Sequence, residues 1–244
     1  MAFSAQLQPA ELDGLELLVD PGARAEGVLV AFSDRRGGVS RPPYDSLNLA
    51  VTSGDDPSAV IANRARVEAI LGAPLALARQ AHGAGVLEAE GAGVLGEADV
   101  LVARRPGVAP AVLTADWAPV VVLGRRGVAV AHAGWRGLVA GAIEAALDEV
   151  GPAEAAWVGP AIRACCYTVG SEVTAAFTRR GLPVAGPGRV DVSDAALALL
   201  RRAGVANVAR AQACTYHEVR YFSHRRDGVT GRQGAFAVLL EERS

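Results

Sequence analysis

The sequence predicts a mixed α+β domain in which short strands and amphipathic helices enclose a large apolar core. Hydrophobic residues make up 51% and charged residues 20% of the 244 residues, which is enough apolar material to bury a sizeable core. Helices interrupt the short strand-like runs without the regular βαβ alternation of a doubly wound parallel sheet. These features favour an α+β sandwich, and the length is compatible with a single domain.

One helix is well marked in the first half of the chain. It is predicted over Pro57–Leu71, because Asp56 can cap its N-terminus and Pro57 suits the first helical position. Gly72 can adopt the left-handed conformation that ends a helix. Short apolar runs predict strands at residues 27–32, 75–80, 86–89 and 111–114.

The second half begins with a predicted hairpin, because residues 124–127 separate two apolar, β-branched runs at 119–123 and 128–131. Helices are predicted at 138–150, 170–180 and 193–203, with Ser193 as the N-cap of the last, and strands at 156–158 and 235–240. Residues 181–188 are expected to form a loop within the same domain. We therefore expect one domain over residues 1–244, in which residues 1–26 are the least clearly patterned.

The charge composition argues against several classes of protein. A formal net charge of −2 does not suit a nucleic-acid binder, which needs a concentrated basic face. All 24 basic residues are arginine, so no Schiff-base lysine or P-loop lysine is available. Arginine nevertheless suits planar recognition of phosphate or carboxylate groups.

Cysteine usage and hydropathy predict a cytoplasmic protein. The three cysteines, Cys165, Cys166 and Cys214, do not form the pattern of a disulfide framework, and no C-x-x-C pair indicates a structural zinc site. The first residues lack the basic and apolar regions of a signal peptide. The longest apolar runs, such as residues 118–123, are too short to span a bilayer, so no membrane partner is expected.

Two of the four histidines lie in glycine-flanked breaks directly after strand-like runs. His82 belongs to the QAHG segment at 80–83, and His132 opens the HAGWRG segment at 132–137. Rigid scaffolds usually present working side chains where strands open into loops. Histidine supplies either a metal-ligating nitrogen or a general base near neutral pH. A purely structural, hydrogen-bonded role is the alternative for each.

Three further residues are candidates by position. Arg136 stands near the start of the predicted helix at 138–150, where unpaired amides favour an anion, although a solvated arginine is the alternative. Asp116 follows a strand, so it could orient a histidine, bind a substrate hydroxyl or cap a turn. Asn48 lies between two leucines and would point to the opposite face from them in an extended segment.

An ordered series of motifs resembles the YfiH-like laccase-domain family. The series comprises RGGVS at 36–40, PYDSLNL at 43–49, GDD at 54–56, Asn63–Arg64, QAHG at 80–83, ADWAP at 115–119, HAGWRGL at 132–138, GPAI at 159–162, YTVG at 167–170, Cys214–Thr215 and the segment 222–232. HAGWRGL is very specific, and the resemblance runs from about residue 30 to the C-terminus.

The resemblance implies a single domain of four layers, α-β-β-α, with mixed sheets. Family members have been described as polyphenol oxidases and as purine nucleoside phosphorylases, which cleave the N-glycosidic bond with phosphate, and adenosine deamination is also attributed to them. The implied catalytic residues are His82, His132, Arg64 and Asn48. Arg136, Gly38, Asp116 and Trp117 are the candidates for substrate contacts. The implied partners are a purine nucleoside and phosphate.

The chain departs from the family pattern at the third zinc ligand. In the family, zinc is held by two histidines, which match His82 and His132, and by the cysteine of an ADC motif. This chain has Trp117 in place of that cysteine. Thiolate is a charged, soft donor, whereas indole has an N–H and no available lone pair. We therefore expect zinc to be weakly bound or absent and copper to be less favoured, with packing roles for the three cysteines.

Three functions follow from this pattern. The first is a purine nucleoside phosphorylase that works with a weakly held metal or with a histidine-only mechanism. The second is a catalytically weakened paralogue that binds a nucleoside or a protein, with Trp117 stacking on a purine or plugging the pocket. The third and least favoured is a copper-dependent phenol oxidase, since the chain lacks the many histidine and cysteine ligands of a multi-copper centre. Retention of the other site residues favours the first.

Overall fold

The computed structural model of the protein describes residues 3–241. Within these residues the strands are β1 (Gln8–Leu12), β2 (Leu15–Val19), β3 (Val28–Ser33), β4 (Leu75–Arg79), β5 (Val86–Glu88), β6 (Gly93–Glu97), β7 (Val100–Ala103), β8 (Ala109–Thr114), β9 (Ala118–Gly124), β10 (Gly127–Ala133), β11 (Ala153–Val158), β12 (Val184–Gly186), β13 (Arg189–Val190), β14 (Val208–Arg210) and β15 (Gln233–Leu239). The helices are α1 (Pro21–Ala25), α2 (Pro57–Leu71), α3 (Trp135–Ala140), α4 (Ala142–Val150), α5 (Ser171–Arg179), α6 (Val192–Arg202) and α7 (His224–Asp227).

Two mixed sheets carry the architecture. The larger has the strand order β1-β2-β3-β15-β8-β4-β6, and the smaller has the order β14-β11-β9-β10-β7-β5. In the larger sheet β4 runs parallel to both β6 and β8, and in the smaller sheet β5–β7 and β11–β14 are parallel pairs. The remaining neighbours in the two sheets are antiparallel.

The two sheets and the helices on their outer faces form four layers, with an apolar core between each adjacent pair of layers. Residues on α2 such as Val67 pack on the outer face of the larger sheet. The inner faces of the two sheets pack on each other around Phe32 and Trp157. The outer face of the smaller sheet packs against α4, α5 and α6, with Ile143 and Phe177 in that core. The α-β-β-α arrangement and the mixed sheets expected from the sequence are confirmed.

Burial on both faces explains why the strand sequences are apolar throughout. In β3, Val28, Val30 and Phe32 enter the core between the sheets, whereas Leu29 and Ala31 face the α2 layer. Successive side chains of a strand point to opposite faces, so a strand covered on both sides needs apolar residues at every position. The strand-like runs in the sequence therefore lack the alternating pattern of a half-exposed strand.

Asp20 joins the N-terminal segment to the core between the sheets. Its carboxylate caps α1 by accepting hydrogen bonds from the backbone N–H groups of Gly22 and Ala23, and it also accepts one from Gln6. The indole Nε1 of the fully buried Trp157 donates to the same carboxylate at 2.8 Å. The hairpin of β1 and β2 continues the larger sheet through pairing of β2 with β3.

The best-marked elements of the sequence are confirmed. Helix α2 has the predicted bounds, its cap Asp56 accepts a hydrogen bond from the Ser58 N–H, and Gly72 ends it in the left-handed conformation. Strands β9 and β10 form the predicted hairpin. No helix within residues 3–241 combines the length and apolar composition needed to cross a bilayer.

Three local predictions are wrong. The helix predicted at 138–150 is two helices, α3 and α4, because Gly141 adopts a φ of 98° between them. The cap of α6 is Asp191, whose side chain accepts from the Asp194 N–H, and Ser193 lies inside the helix. The predicted loop at 181–188 contains β12, which pairs with β13. Strands β1, β2, β6, β7 and β14 and the short helices α1 and α7 were not predicted, since they are brief and weakly patterned.

Replacement of Asp20 should destabilise the fold strongly. Asp20→Ala removes a helix cap and leaves the buried Trp157 N–H without its acceptor, so we expect a loss of about 3 kcal/mol in the free energy of unfolding. Urea denaturation measures it. Asp148→Ala, at an exposed position of α4, is the matched control and should change stability by less than about 0.5 kcal/mol. Equal effects of the two substitutions would contradict the role of Asp20.

Candidate active site

A cleft of about 640 Å³ contains most of the polar groups singled out by the sequence. The parallel strands β4 and β8 end side by side in the larger sheet. Residues 77–80 and 113–117, at and just after these strand ends, form part of the cleft wall. His132, near the end of β10, contributes from the smaller sheet. The volume is in the range of small-molecule sites, and we call this space the histidine cleft.

Asp99 organises the two histidines of the cleft. His132 is 3% exposed, and its Nδ1 lies 3.0 Å from the Asp99 Oδ1. The same carboxylate accepts hydrogen bonds from the backbone N–H groups of Ala81, His82 and Gly83 at 3.1, 3.0 and 2.7 Å. One buried carboxylate therefore fixes the ring of His132 directly and the position of His82 through its backbone.

His82 is held in an unusual backbone conformation. Its φ of 65° lies in the left-handed region that residues other than glycine seldom occupy. The three N–H bonds to Asp99 secure this turn, and the ring centroids of His82 and His132 come to within 5.3 Å of each other. Backbone strain of this kind persists where the surroundings enforce it, and it is concentrated at functional sites.

Both imidazoles favour their neutral form. Burial lowers the pKa of His132 below its ordinary value and outweighs the opposing effect of Asp99. Burial and the neighbouring His132 lower the pKa of His82. Burial acts to raise the pKa of Asp99, but the hydrogen bonds from His132, Gly83 and His82 hold it below the ordinary value, so this group is a carboxylate. The neutral His132 thus donates Nδ1–H to Asp99 and offers the Nε2 lone pair for other bonds.

Trp117 packs against both histidines. Its ring centroid lies 4.1 Å from that of His82, with the rings edge to face, and 5.1 Å from that of His132. The indole passes directly over Gly134, where an added Cβ would come within 2.3 Å of Trp117 Cε3. The glycine of the HAGWRG segment therefore makes room for the tryptophan, and the three rings form one packed group.

The donor set does not fit a resident zinc ion at this position. His82, Asp99 and His132 have atoms within 4.8 Å of one another. Asp99, however, already uses both oxygens on three backbone N–H groups and His132, so its role is to orient the histidines. The indole of Trp117 has no lone pair to donate. Two neutral imidazoles remain, fewer than the three protein ligands of a catalytic zinc site.

Arginines dominate the charge of the cleft. The lining contains four of them: Arg64, Arg79, Arg225 and Arg232. Arg79 pairs with Glu97 at 3.0 Å, whereas neither Arg64 nor Arg232 forms an ion pair within residues 3–241. Burial lowers the pKa of both below the ordinary value, yet a guanidinium stays charged at neutral pH. The cleft thus holds two partly buried guanidinium groups that form no salt bridge among the described residues and that suit an oxyanion such as phosphate.

Asp116 is the acidic residue of the lining, and the protein already uses its carboxylate. Its Oδ1 accepts from the Thr215 hydroxyl and its Oδ2 from the Arg225 backbone N–H, each at 2.7 Å. Its backbone is also strained, with a φ of 100°. Asp116 thus bonds to Thr215 and to the backbone of Arg225. The residue that orients His132 is Asp99 and not Asp116.

The structure places three of the other predicted site residues outside the cleft lining. Asn48 is fully buried, donates to Ser53 and Asp55, and accepts from the backbone N–H of Arg232 at 2.9 Å. Gly38 packs so closely that an added Cβ would lie 2.2 Å from the Ser46 carbonyl oxygen. Arg136 is exposed and stacks on Trp135, with its guanidinium carbon 4.4 Å from the ring centroid.

Sequence reasoning missed several residues of the site. These are Asp99, Tyr167, His224, Arg225 and Arg232. A polar residue enclosed in an apolar run was a usable signal for Asp99, since Ala98 and Val100 flank it. The HRRD sequence of α7 was a signal for His224 and Arg225. Tyr167 and Arg232 lie within motifs of the series, YTVG and 222–232, but only the tertiary fold brings them to β4 and β8 and so indicates a role.

The match to a family model defines the class of this protein. Residues 29–240 match the model described as multi-copper polyphenol oxidoreductase laccase, so the chain belongs to this laccase-like family. The resemblance seen in the motifs is confirmed.

Relatives cover nearly the whole chain. It is 38% identical to the purine nucleoside phosphorylase YfiH of Escherichia coli, over 92% of this chain and 99% of that protein. It is 40% identical to the purine nucleoside phosphorylase PA4543 of Pseudomonas aeruginosa, over 87% of this chain and 93% of that one. The crystal structure of YlmD from Geobacillus stearothermophilus superposes with a TM-score of 0.83 at 29% identity, covering 99% of this chain and 100% of that chain. The Neisseria meningitidis protein NMB0706 superposes with a TM-score of 0.81 at 34% identity, covering 97% and 100%.

The depressed pKa of the two histidines makes stability depend on pH. Since the folded pKa of His132 and of His82 lies below the ordinary value of 6.5, the unfolded chain takes up protons first as the pH falls. The contribution of these two histidines to the free energy of unfolding should therefore decrease as the pH falls through 6.5. His132→Gln should flatten this dependence. Urea titrations at several pH values measure both slopes, and equal slopes for the two proteins would contradict the assignment.

Proposed function

We propose that this protein is a purine nucleoside phosphorylase, which transfers the sugar of a purine nucleoside to inorganic phosphate. The observation that carries the proposal is that one cleft joins two partly buried arginines, which form no salt bridge among the described residues, to a carboxylate-oriented histidine pair and an aromatic wall. Relatives at 37–40% identity that bear this name support it. The proposed partners are a purine nucleoside and phosphate.

The arginines provide what phosphorolysis most needs. In the reaction the bond between C1′ and the base nitrogen breaks, its electron pair leaves with the base, and a phosphate oxygen forms the new bond to C1′. Arg64 uses its Nε on the Leu49 carbonyl oxygen, and Arg232 uses one Nη on the carbonyl oxygens of Thr230 and Gly231. The remaining N–H groups of the two guanidinium groups are the ones we assign to the phosphate oxygens. Fixed cations of this kind hold the anion beside C1′ at little cost in reorganisation.

In this proposal Asn48 acts indirectly, through Arg232 and the cleft wall. Its amide oxygen holds the backbone of Arg232, and its amide nitrogen donates to Ser53, Asp55 and the Ala50 carbonyl oxygen. Ala50 and Thr52 belong to the cleft wall. Asn48 is therefore a positioning residue, which sets the arginine that binds phosphate without facing the substrate itself.

The neutral histidines suit the sugar better than the leaving base. The Nε2 lone pair of His132 can accept a hydrogen bond from a ribose hydroxyl, while the lowered pKa makes this group a poor store of protons. Burial raises the pKa of Tyr167, so its phenol keeps its proton at neutral pH and is a donor on the cleft wall for the base nitrogen. Trp117 and Tyr167 offer ring surfaces to the purine.

The donor set supports phosphorolysis over the two metal-dependent reactions. Adenosine deamination needs an activated water, which a metal ion usually supplies, and a multi-copper oxidase needs many more histidine and cysteine ligands. The cleft provides two imidazoles and a saturated carboxylate. We therefore propose that adenosine yields adenine and ribose 1-phosphate here, and that inosine formation depends on a restored third ligand.

The cellular setting proposed for this reaction is the cytoplasm. The three cysteines of the protein form no disulfide within the described residues, which is typical of proteins in reducing compartments.

Release of free base from inosine or adenosine with phosphate tests the proposal. Chromatography of the products, with and without added zinc, should show hypoxanthine or adenine and a sugar phosphate. Arg64→Gln should raise the KM for phosphate by roughly 10- to 100-fold, as expected for the loss of a hydrogen bond to a charged group. Arg125→Gln, whose side chain is 76% exposed, is the matched control and should leave KM unchanged. Nucleoside binding without release of base would instead identify a binding protein.

Trp117→Cys tests whether the cleft binds zinc weakly because a tryptophan stands in place of the cysteine ligand. The thiolate would complete a set of two histidines and one cysteine, so zinc content should rise by about one ion per chain relative to the otherwise identical Trp117→Ser. Elemental analysis after gel filtration measures it, and product analysis shows whether inosine then forms from adenosine. If the cysteine and serine variants hold the same amount of zinc, loss of this ligand is not the reason for the weak site.

A further inference from the structure

Four soft ligands meet away from the histidine cleft. The sulfur atoms of Cys165 and Cys166 lie 3.4 Å apart, and those of Cys165 and Cys214 lie 3.7 Å apart. The Nε2 of His217 lies 3.0 Å from the Cys166 sulfur. All four donor atoms lie within 4.8 Å of one another. We call this group the cysteine cluster.

The sulfur separations fit one tetrahedral ion, whereas the 3.0 Å between His217 Nε2 and the Cys166 sulfur is a hydrogen-bond distance that has to lengthen by about 0.5 Å when an ion binds. Sulfur ligands about 2.3 Å from a tetrahedral zinc ion lie about 3.7 Å from one another, and a nitrogen ligand lies slightly closer to them. The observed sulfur separations of 3.4 and 3.7 Å are near that value, and they are well above the S–S bond length of a disulfide, about 2.0 Å. Three thiols and an imidazole are the composition of a closed structural zinc site.

Two loops hold the ligands in place. Cys165 and Cys166 follow β11, and the carbonyl oxygens of Cys165 and Ala164 accept hydrogen bonds from Arg189. Cys214 pairs with Ala161 in an isolated parallel bridge, and the His217 N–H donates to the Cys214 carbonyl oxygen at 3.0 Å. The loop geometry that brings the four donors together therefore depends on the backbone as well as on the side chains.

The backbone at Cys214 is fixed by a tight turn. The N–H groups of His217 and Glu218 both donate to its carbonyl oxygen, at 3.0 and 2.9 Å. Hydrogen bonds from outer groups orient metal ligands. Cys214 is buried, whereas Cys165 and His217 are exposed, so an ion can enter from the solvent side.

We propose that Cys165, Cys166, Cys214 and His217 bind a single zinc ion that fastens the loop after β11 to the loop before α7. With four protein ligands the ion has no open position, so its role is structural. The clamp acts next to the histidine cleft, because Tyr167 follows Cys166 directly and Thr215, which anchors Asp116, follows Cys214. It thereby fixes two residues that shape the cleft wall. This site is independent of the proposed activity.

The spacing of the ligands explains why sequence rules did not identify the site. Structural zinc sites are usually recognised by two C-x-x-C pairs, whereas here one half is an adjacent cysteine pair and the other is C-x-x-H at 214–217. The packing role expected for all three cysteines is wrong for Cys165, which is exposed.

Metal analysis of the untagged, full-length protein is the direct test. After incubation with one equivalent of zinc chloride and gel filtration, the wild type should retain about one zinc per chain. Cys165→Ser and His217→Gln change exposed ligands and should reduce zinc retention to near zero. His82→Gln changes the histidine cleft, whose donor set does not fit a resident zinc ion, and should leave zinc retention unchanged. Loss of zinc in His82→Gln together with retention in His217→Gln would overturn the proposal.

Three measurements on the wild-type chain keep the test independent of variant folding. Cobalt(II) in place of zinc should give the intense thiolate-to-metal charge-transfer absorption and the visible bands of a tetrahedral site. Zinc should also protect all three cysteines from alkylation, as read by mass spectrometry. Hydrogen exchange should slow in residues 159–169 and 211–218 when zinc is added. Unprotected thiols and an octahedral cobalt spectrum would show that the cluster binds no structural ion.

Discussion

The histidine cleft depends above all on the Asp99 carboxylate. This group joins the turn after β4 of the larger sheet to His132 on β10 of the smaller sheet. It accepts three backbone N–H groups from residues 81–83 and faces the Nδ1 of His132. The donors are three consecutive N–H groups of one backbone turn and the buried ring of His132, so a side chain without carboxylate oxygens at this position would leave several buried polar groups unsatisfied. The strained turn at His82 and the tautomer of His132 are both consequences of this one charge.

Hydrogen bonds compensate the burial of this charge, and three apolar layers hold the groups that make those bonds in place. Small and branched residues on both faces of β3, β9 and β10 allow two sheets to pack together while helices cover their outer faces. The strands are therefore rigid where they end, and the histidines and arginines of the cleft sit on ends or loops that this scaffold fixes. Asp20 fixes the N-terminal segment in a similar way, because its buried carboxylate accepts hydrogen bonds from Trp157 and from the backbone N–H of Gln6.

The distribution of soft ligands differs from what the family pattern leads one to expect. The cleft has a tryptophan where the pattern has a thiolate, and its remaining chemistry is that of cations, neutral imidazoles and aromatic faces. The three thiols of the chain are gathered instead in the cysteine cluster, beside the residues that support the cleft wall. Catalysis by fixed charges in one place and structural use of cysteine in another are compatible, since phosphorolysis requires an oriented anion more than a Lewis acid.

The sequence by itself determined the layered class of the fold, helix α2 with both of its ends, the β9–β10 hairpin and the pairing of His82 with His132. These features are recorded in local signals: caps, glycine stops, apolar runs and a specific motif. Only the tertiary structure decided that Asp99 orients the histidines, that Arg232 joins Arg64 in the cleft and that His217 meets three cysteines. Asp99 lies 17 and 33 positions from the two histidines, and His217 lies 51 positions from Cys166. Contacts over such separations leave no periodicity in the chain that could be read in advance.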